Sequence, residues 1–144
     1  MTGMLTIAQL VDTVAAWASA HDGIVGLALV GSHARNDANA ESDVDLVLLA
    51  PNPTEFRESF AWLNEINWSS LGLSVTSSRD AQYGVVWSRH VQLSNGMSVE
   101  FSFAYPSWAA TSPCDPGTRS VVSRGCRVLF DPRQLLQNVV RCAA

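Results

Sequence analysis

Two aspartates, Asp43 and Asp45, stand two residues apart at the start of an apolar run that ends at Leu49. Because side chains alternate between the two faces of a β-strand, a strand here places both carboxylates on one face and Val44 on the other. Two like charges held this close repel each other, and burial strengthens the repulsion. A divalent cation removes the conflict, and magnesium takes one or two carboxylates together with substrate phosphates and waters. The pair therefore indicates a magnesium site.

A third carboxylate, Glu100, occurs in a second strand-like segment. Val99, Phe101 and Phe103 form the apolar face of that segment, which leaves Glu100 between two serines on the other face. A single carboxylate on the polar face of a strand is usually only solvated. Glu100 becomes a candidate ligand when it is considered together with the aspartate pair.

A candidate phosphate-binding turn precedes the aspartates. Gly31 lets the backbone approach a ligand closely, Ser32 offers a hydroxyl, and a following helix would direct free N–H groups at an anion. Arg35, one turn further on, could add a charged fork to a phosphate. Taken alone, the turn is more simply a strand-to-helix connection capped by a serine.

These residues together resemble the signature of the nucleotidyltransferase fold, the DNA polymerase β-like superfamily. Gly31-Ser32-His33-Ala34-Arg35 is followed by Ser42-Asp43-Val44-Asp45-Leu46, with ten residues between Ser32 and Asp43. The superfamily has a Gly-Ser turn, some ten residues, an Asp-x-Asp pair in a hydrophobic strand, and a third acid on a later strand, where Glu100 stands here. The combination is specific, because turn, spacing and acid pair must coincide.

The resemblance extends over most of the chain. Ser107-Trp108-Ala109 and the segment from Gly125 to Pro132, which contains Arg-Val-Leu and Asp-Pro, resemble small bacterial nucleotidyltransferase-like proteins. One departure is Asn36-Asp37, where many relatives continue Ala-Arg-Gly. The missing glycine affects the expected conformation of the loop, not the metal ligands.

The resemblance implies an enzyme that transfers a nucleoside monophosphate from a nucleoside triphosphate to an acceptor hydroxyl and releases pyrophosphate. It implies two divalent ions, Mg²⁺ or alternatively Mn²⁺, held by Asp43, Asp45 and Glu100. Glu100 would also accept the proton of the acceptor. The nucleotide-binding residues that it implies are Gly31, Ser32, Arg35 and Ser42.

Several other side chains are candidates for the same site. His33, beside the turn, could touch the leaving group, although an ordinary surface histidine is the simpler explanation. Arg89 and His90 lie on the first strand of a predicted hairpin, where strand alternation could direct one of them toward the acceptor. The aromatic residues that could stack on a base, but that more often belong to a core, are Trp87, Trp108 and Tyr105.

The elements needed to position these residues can be predicted from hydrophobic periodicity and turn signals. We predict helices over residues 6–20 and 33–40, a helix capped by Thr54 that carries Phe56, Phe60 and Leu63, and a helix beginning at Asp131-Pro132. We predict strands over residues 24–30, 43–49, 73–76 and 126–130, and a hairpin of residues 85–93 and 97–103 around Asn95-Gly96. Residues 106–117 are predicted as a loop. This order predicts an α/β (α+β) fold, a mixed β-sheet with helices packed mainly on one face, in a single domain of residues 1–144.

Composition narrows the function classes. The chain has 144 residues, 47% of them apolar and 15% charged, with a net charge of −4, which argues against a disordered chain and against a general nucleic-acid coat protein. All nine basic residues are arginine, so lysine Schiff-base chemistry and a P-loop are excluded. No apolar run reaches the ~20 residues of a membrane span, and no signal peptide is evident, so we expect a cytoplasmic location. The three cysteines are expected to be free thiols.

Two alternatives to this enzyme remain open. The first is an antitoxin-like or degenerate interaction protein that binds a partner chain. Small nucleotidyltransferase-like proteins also occur as antitoxins, and degenerate members keep the fold without the chemistry. Acceptor-modifying relatives usually carry an added helical domain, and this leaves two arrangements open. Either a small or polymeric acceptor binds in an open cleft, or a partner protein or a second copy of the chain completes the site. The second alternative is a two-metal phosphatase or nuclease that uses the same acids. The acceptor and the preferred nucleotide have no local signature in the sequence.

Overall fold

A computed structural model describes residues 6–39 and 42–143. It contains six strands, which are β1 (Gly26–Val30), β2 (Val44–Leu49), β3 (Val75–Tyr83), β4 (Val86–Leu93), β5 (Ser98–Ala104) and β6 (Cys126–Phe130). The helices are α1 (Ile7–Ser19), α2 (Ser32–Arg35), α3 (Thr54–Arg57), α4 (Ala61–Glu65), α5 (Pro116–Ser123) and α6 (Leu135–Ala143). Two 3-10 helices span Trp68–Leu71 and Pro106–Ala109.

The six strands form one sheet in the order β3-β4-β5-β2-β1-β6. β2 and β5 are parallel, and the other neighbouring pairs are antiparallel. The sheet is therefore mixed, and the predicted α+β fold class is confirmed. The parallel pair matters most for function, because it brings the aspartate segment beside the glutamate segment.

One face of the sheet is covered by α1, α3 and α4. The capping box predicted at Thr6 and Gln9 is present, and it fixes the start of α1. Leu10 and Val14 of α1 are fully buried in a core that they share with Phe101 and Phe103 of β5. Every second residue of β2 and β5 points into this core, so the residues between them point to the other face.

The other face carries a second, smaller apolar cluster. Leu136 and Val139 of α6 and Val122 of α5 pack there against Ala28 of β1 and Leu49 of β2. These helices cover the β1 side of the sheet, and a cavity lies between α5 and the β2–β5 part. The position of α5 thus shapes the candidate site.

Two predicted helices are shorter than expected. The helix predicted over residues 33–40 is limited to α2, because Asn36 adopts a left-handed conformation with φ 62° and ends it; Ala40 lies outside the described residues. The helix predicted from Thr54 is divided into α3 and α4, and no side chain caps α3. Phe60 is not on its buried side but 58% exposed, with its ring against the guanidinium of Arg89.

The middle and the C-terminal part also differ from the prediction. The strand predicted over residues 73–76 is the nine-residue β3, whose mostly exposed polar side chains gave no periodic signal. The predicted loop over residues 106–117 contains a 3-10 helix and the start of α5. The last helix begins at Leu135, and the Asp131 carboxylate accepts hydrogen bonds from the N–H groups of Leu136 and Gln137. Strand β6 and the hairpin of β4 and β5 agree with their predictions.

Two expectations from composition can be compared with the described residues. Cys114, Cys126 and Cys142 are free, as expected. Among helices in the described ranges, none has the length and continuous apolar character needed to cross a membrane.

Candidate functional site

The parallel pairing of β2 and β5 places two predicted ligands side by side. Asp45 is in register with Glu100, and both point away from the core that buries Leu46 and Phe101. The carboxylate of Glu100 accepts a hydrogen bond from Ser102 Oγ at 3.3 Å. The two carboxylates therefore share a partly buried polar strip of the sheet.

Asp43 lies one residue before β2 and is exposed. Carboxylate oxygens of Asp43 and Glu100 and a ring nitrogen of His90 all lie within 4.8 Å of one another. The structure thus brings Asp43, Asp45 and Glu100 together at one face of the sheet. It adds a histidine to them.

The pKa of Asp45 reflects both its burial and the neighbouring negative charges. The pKa of Asp45 is raised to about 6, first by burial and then by the charges of Glu100 and Asp43, whereas the charge of Arg35 lowers it. Three carboxylates are thus held together at an electrostatic cost. A cation placed among them would reduce that cost.

The turn after β1 lies directly beside Asp45. Val30 is paired with Asp45 across the antiparallel β1–β2 ladder, and the next residue, Gly31, has φ 76°. A Cβ atom at Gly31 would lie only 2.4 Å from Asp45 Oδ2, so this close approach requires glycine. Ser32 follows as the first residue of α2.

The other predicted nucleotide-binding residues, Arg35 and Ser42, lie near this turn. Arg35 reaches the cavity and donates from Nε to Asp37 Oδ2 at 3.0 Å. Ser42 Oγ accepts a hydrogen bond from the backbone N–H of Asn39 at 3.0 Å. The backbone carbonyl oxygen of Ser42 is 3.3 Å from His33 Nε2. Ser42 and His33 therefore organise the loop that leads to Asp43.

Arg89 and His90 are the two candidates on β4. Of these two, only His90 faces the site. It is paired with Glu100 across the β4–β5 ladder, with 3.6 Å between its Nδ1 atom and Glu100 Oε2. Its Nε2 atom is 3.4 Å from Tyr83 Oη. Alternation with the buried Val91 was the sequence signal that could have singled it out.

Arg89, the second of those candidates, is completely buried in the opposite core. Its guanidinium pairs with Asp80, donates to backbone carbonyls of residues 56, 57 and 59, and lies 4.0 Å from the centre of the Phe60 ring. Arg89 therefore ties α3 and the start of α4 to the sheet. It cannot reach an acceptor.

We predict that Arg89→Met destabilises the protein by about 2–4 kcal/mol, because several carbonyl groups and Asp80 lose a charged donor together. Urea denaturation measures the change. The matched control is Arg79→Met, since Arg79 is exposed on β3 and should change stability by no more than about 0.5 kcal/mol. Equal stability of the two variants would contradict the role given to Arg89.

The three aromatic candidates separate in the structure. Trp87 is buried and stacks on Phe103 in the core. Trp108 lines the main cavity, whereas Tyr105 lies at a different, smaller pocket. Only Trp108 is thus positioned to contact a ligand bound beside the carboxylates.

Asp45 and Glu100 line a cavity of about 600 Å³, which is within the usual size for a small-molecule site. Asp45, Glu100, Gly31 and Arg35 form its polar side. The turn between β3 and β4, the second 3-10 helix and α5 with its C-terminal cap form the other side with apolar and charged groups, which are Tyr83, Val85, Val86, Trp108, Val121 and Arg124. Sequence reasoning missed the contribution of α5, although Asp115-Pro116 is the same cap-and-proline signal that was recognised at residues 131 and 132.

Comparisons with known proteins agree with this fold. The family model for the nucleotidyltransferase domain matches residues 13–84, half of the chain, including the Gly31 turn and the aspartate pair. The crystal structure of an aminoglycoside 6-adenyltransferase from Bacillus subtilis is similar with a TM-score of 0.56 and 12% identity over 74% of this chain. The chain spans 37% of that protein's length, so the similarity concerns the fold alone. No curated protein sequence matches this chain significantly.

One family model matches half of the chain, and the matched residues include the glycine turn and the paired aspartates. The order of the strands in the sheet is consistent with this match. The chain therefore belongs to the nucleotidyltransferase domain family, a family of enzymes that transfer nucleotidyl groups.

Proposed function

We propose that this protein is a metal-dependent nucleotidyltransferase that moves a nucleoside monophosphate from a nucleoside triphosphate to an acceptor hydroxyl and releases pyrophosphate. The observation that carries the proposal is the convergence of Asp43, Asp45 and Glu100 beside the Gly31 turn, at one side of a cavity of about 600 Å³. Family membership supports the general reaction, and the arrangement of these residues supports their roles.

The donor set fits divalent metal ions. Three carboxylates provide the oxygen ligands that Mg²⁺ prefers, and the raised pKa of Asp45, due first to burial and then to the charges of Glu100 and Asp43, supports a cation among them. We assign Asp43 and Asp45 to two ions, Mg²⁺ or alternatively Mn²⁺, and Glu100 to one of them. When bound, such ions neutralise the charge that develops on the triphosphate and on the attacking oxygen.

The residues of the chain itself would position the reactants. The backbone at Gly31, the hydroxyl of Ser32 and the guanidinium of Arg35 would hold the terminal phosphates. Glu100 would accept the proton of the acceptor hydroxyl as its oxygen attacks the α-phosphorus. The bond between the α-phosphorus and the oxygen that leads to the β-phosphate breaks, and pyrophosphate leaves with the electron pair.

We predict that triphosphate binding depends on the metal. In EDTA, the triphosphate meets unbalanced carboxylates and should bind at least about 10-fold more weakly than in millimolar Mg²⁺. Calorimetry with each of the four ribonucleoside triphosphates measures the difference, and a rise in melting temperature with Mg²⁺ and nucleotide provides a second measurement. Equal affinity in EDTA and in Mg²⁺ would contradict the proposal.

A second candidate function is the binding of a partner chain at the mouth of the cavity. Tyr83 and Val85, at the turn between β3 and β4, are 53% and 79% exposed and form an apolar pair at the mouth of the cavity. A partner protein or a second copy of the chain could cover them and complete the acceptor site. Replacement of Val85 by Asp should then abolish association in size-exclusion chromatography, while metal-dependent triphosphate binding persists.

A further inference from the structure

His90 lies beside the three carboxylates, and the proposed function gives it no role. On β4 its neighbours Arg89 and Val91 are completely buried in the opposite core, so its ring is directed to the carboxylate face. The side chain is only 14% exposed and is in register with Glu100. A mostly buried imidazole is therefore held beside a carboxylate that we assign to a metal.

The distances fit shared coordination of one ion. His90 Nδ1 lies 3.6 Å from Glu100 Oε2, longer than a good hydrogen bond between these atoms. Two ligand atoms that each lie about 2.1 Å from one ion are separated by roughly 3.0–3.5 Å, so a small movement would suffice. Asp43 completes the group, since one ligand atom of Asp43, one of His90 and one of Glu100 lie within 4.8 Å of one another.

The second ring nitrogen gives an independent indication. Metal-binding histidines usually donate their other N–H group to an oxygen atom, which fixes the tautomer and the ring orientation. Here Nε2 lies 3.4 Å from Tyr83 Oη. With its proton on Nε2, His90 donates to Tyr83 and directs the lone pair of Nδ1 toward Glu100.

We propose that Nδ1 of His90, together with carboxylate oxygens of Asp43 and Glu100, holds one divalent transition-metal ion. The proposal deepens the proposed function, because it concerns one of the metal positions assigned there. Imidazole is a poor ligand for Mg²⁺ and a good one for Mn²⁺, Co²⁺ and Zn²⁺. The site therefore selects a transition metal, and it does so before any nucleotide binds.

The experiment measures metal binding in nucleotide-free protein. Wild type and His90→Gln are titrated with Co²⁺ and with Mg²⁺ by calorimetry, and Mn²⁺-loaded samples are examined by pulsed EPR for coupling to the imidazole ¹⁴N nucleus. We expect the variant to bind Co²⁺ at least about 10-fold more weakly, to bind Mg²⁺ within about 3-fold of wild type, and to lose the ¹⁴N coupling. His21→Gln, which removes a histidine that lies beside Glu65 rather than beside Asp43 and Glu100, is the matched control and should change none of these values.

A second variant keeps the test informative if His90→Gln does not fold. Tyr83→Phe removes only the hydroxyl of a 53% exposed side chain and should weaken Co²⁺ binding about 10-fold without loss of the fold. An equal loss of Co²⁺ and Mg²⁺ affinity in His90→Gln, or absence of ¹⁴N coupling in wild type, would overturn the proposal. His90-dependent Co²⁺ binding without metal-dependent triphosphate binding would overturn the nucleotidyltransferase proposal and leave the metal site standing.

Discussion

Replacement of Asp45 by asparagine should lower the rate of nucleotidyl transfer by at least about 100-fold. The substitution preserves size and strand position but removes one ligand charge from the proposed metal pair. Metal ions and preorganised charges stabilise the in-line transition state by several kcal/mol, and about 2.7 kcal/mol corresponds to a factor of 100 in rate. Pyrophosphate release measures the effect. Asp12→Asn, which alters an exposed carboxylate of α1 far from the site, should keep full activity.

The same substitution should not harm the fold. The pKa of Asp45 is raised to about 6 in the folded protein, whereas an unfolded aspartate has a pKa of about 3.9. The folded state therefore binds more protons between these values, and the stability of the metal-free protein falls as the pH rises through this window. Above pH 6, Asp45→Asn removes the burial and repulsion of this charge and should leave the melting temperature in EDTA unchanged or raise it by about 2–4 °C.

The gain in melting temperature should disappear below about pH 4, where Asp45 is protonated in both states of the wild type. Thermal melts over this pH range test the assignment. Retained activity in Asp45→Asn would show that Asp45 holds no essential ion. A large loss of stability would show instead that the carboxylate has a structural role.

Replacement of Gly31 by alanine should also inactivate the enzyme, by about 100-fold or more. A Cβ atom at this position would lie 2.4 Å from Asp45 Oδ2, and the residue has φ 76°, a region that side-chain-bearing residues avoid. Either Asp45 or the phosphate-binding turn must move. A displacement of about 1 Å at a reacting group costs roughly 100-fold, and the strain should cost about 1–3 kcal/mol of stability.

Gly72→Ala provides a matched control for Gly31→Ala. Gly72 has φ 71°, and a Cβ atom there would contact nothing within 4 Å. The control variant therefore has a similar backbone penalty without a collision, and we expect it to lose about 1 kcal/mol of stability and no activity. If both variants are equally active in pyrophosphate release, the close approach of Gly31 to Asp45 has no catalytic importance.

Much of the site could be predicted because it depends on local patterns. Strand alternation places Asp43 and Asp45 on the opposite side from Val44, and it separates Glu100 from Phe101 in the same way. The hairpin signal at Asn95-Gly96 is also local. The pairing of Asp45 with Glu100 joins distant segments, and only the resemblance to a known pattern indicated it before the structure showed the register.

Other parts could not be predicted because tertiary contacts determine them. Arg89 reads as a surface cation, yet carbonyl groups and Asp80 from distant segments satisfy it in the core. The exposed strand β3 lacks apolar alternation, since its pairing with β4 rather than burial of its side chains maintains it. His90 could be placed on a face, but its position beside Glu100 required the register of the hairpin.

The position of bond cleavage in the triphosphate tests the central proposal most directly. Wild type and Asp45→Asn are incubated with nucleoside triphosphates labelled at the α- or the γ-phosphate, with Mg²⁺ or Mn²⁺, and with water or a panel of hydroxyl acceptors. The three-carboxylate mechanism predicts that wild type cleaves between the α- and β-phosphates, so that the α-label passes to the acceptor or to water and the γ-label leaves in pyrophosphate. It also predicts that Asp45→Asn loses this cleavage. Release of the γ-label as inorganic phosphate, or cleavage that does not depend on Asp45, would contradict it.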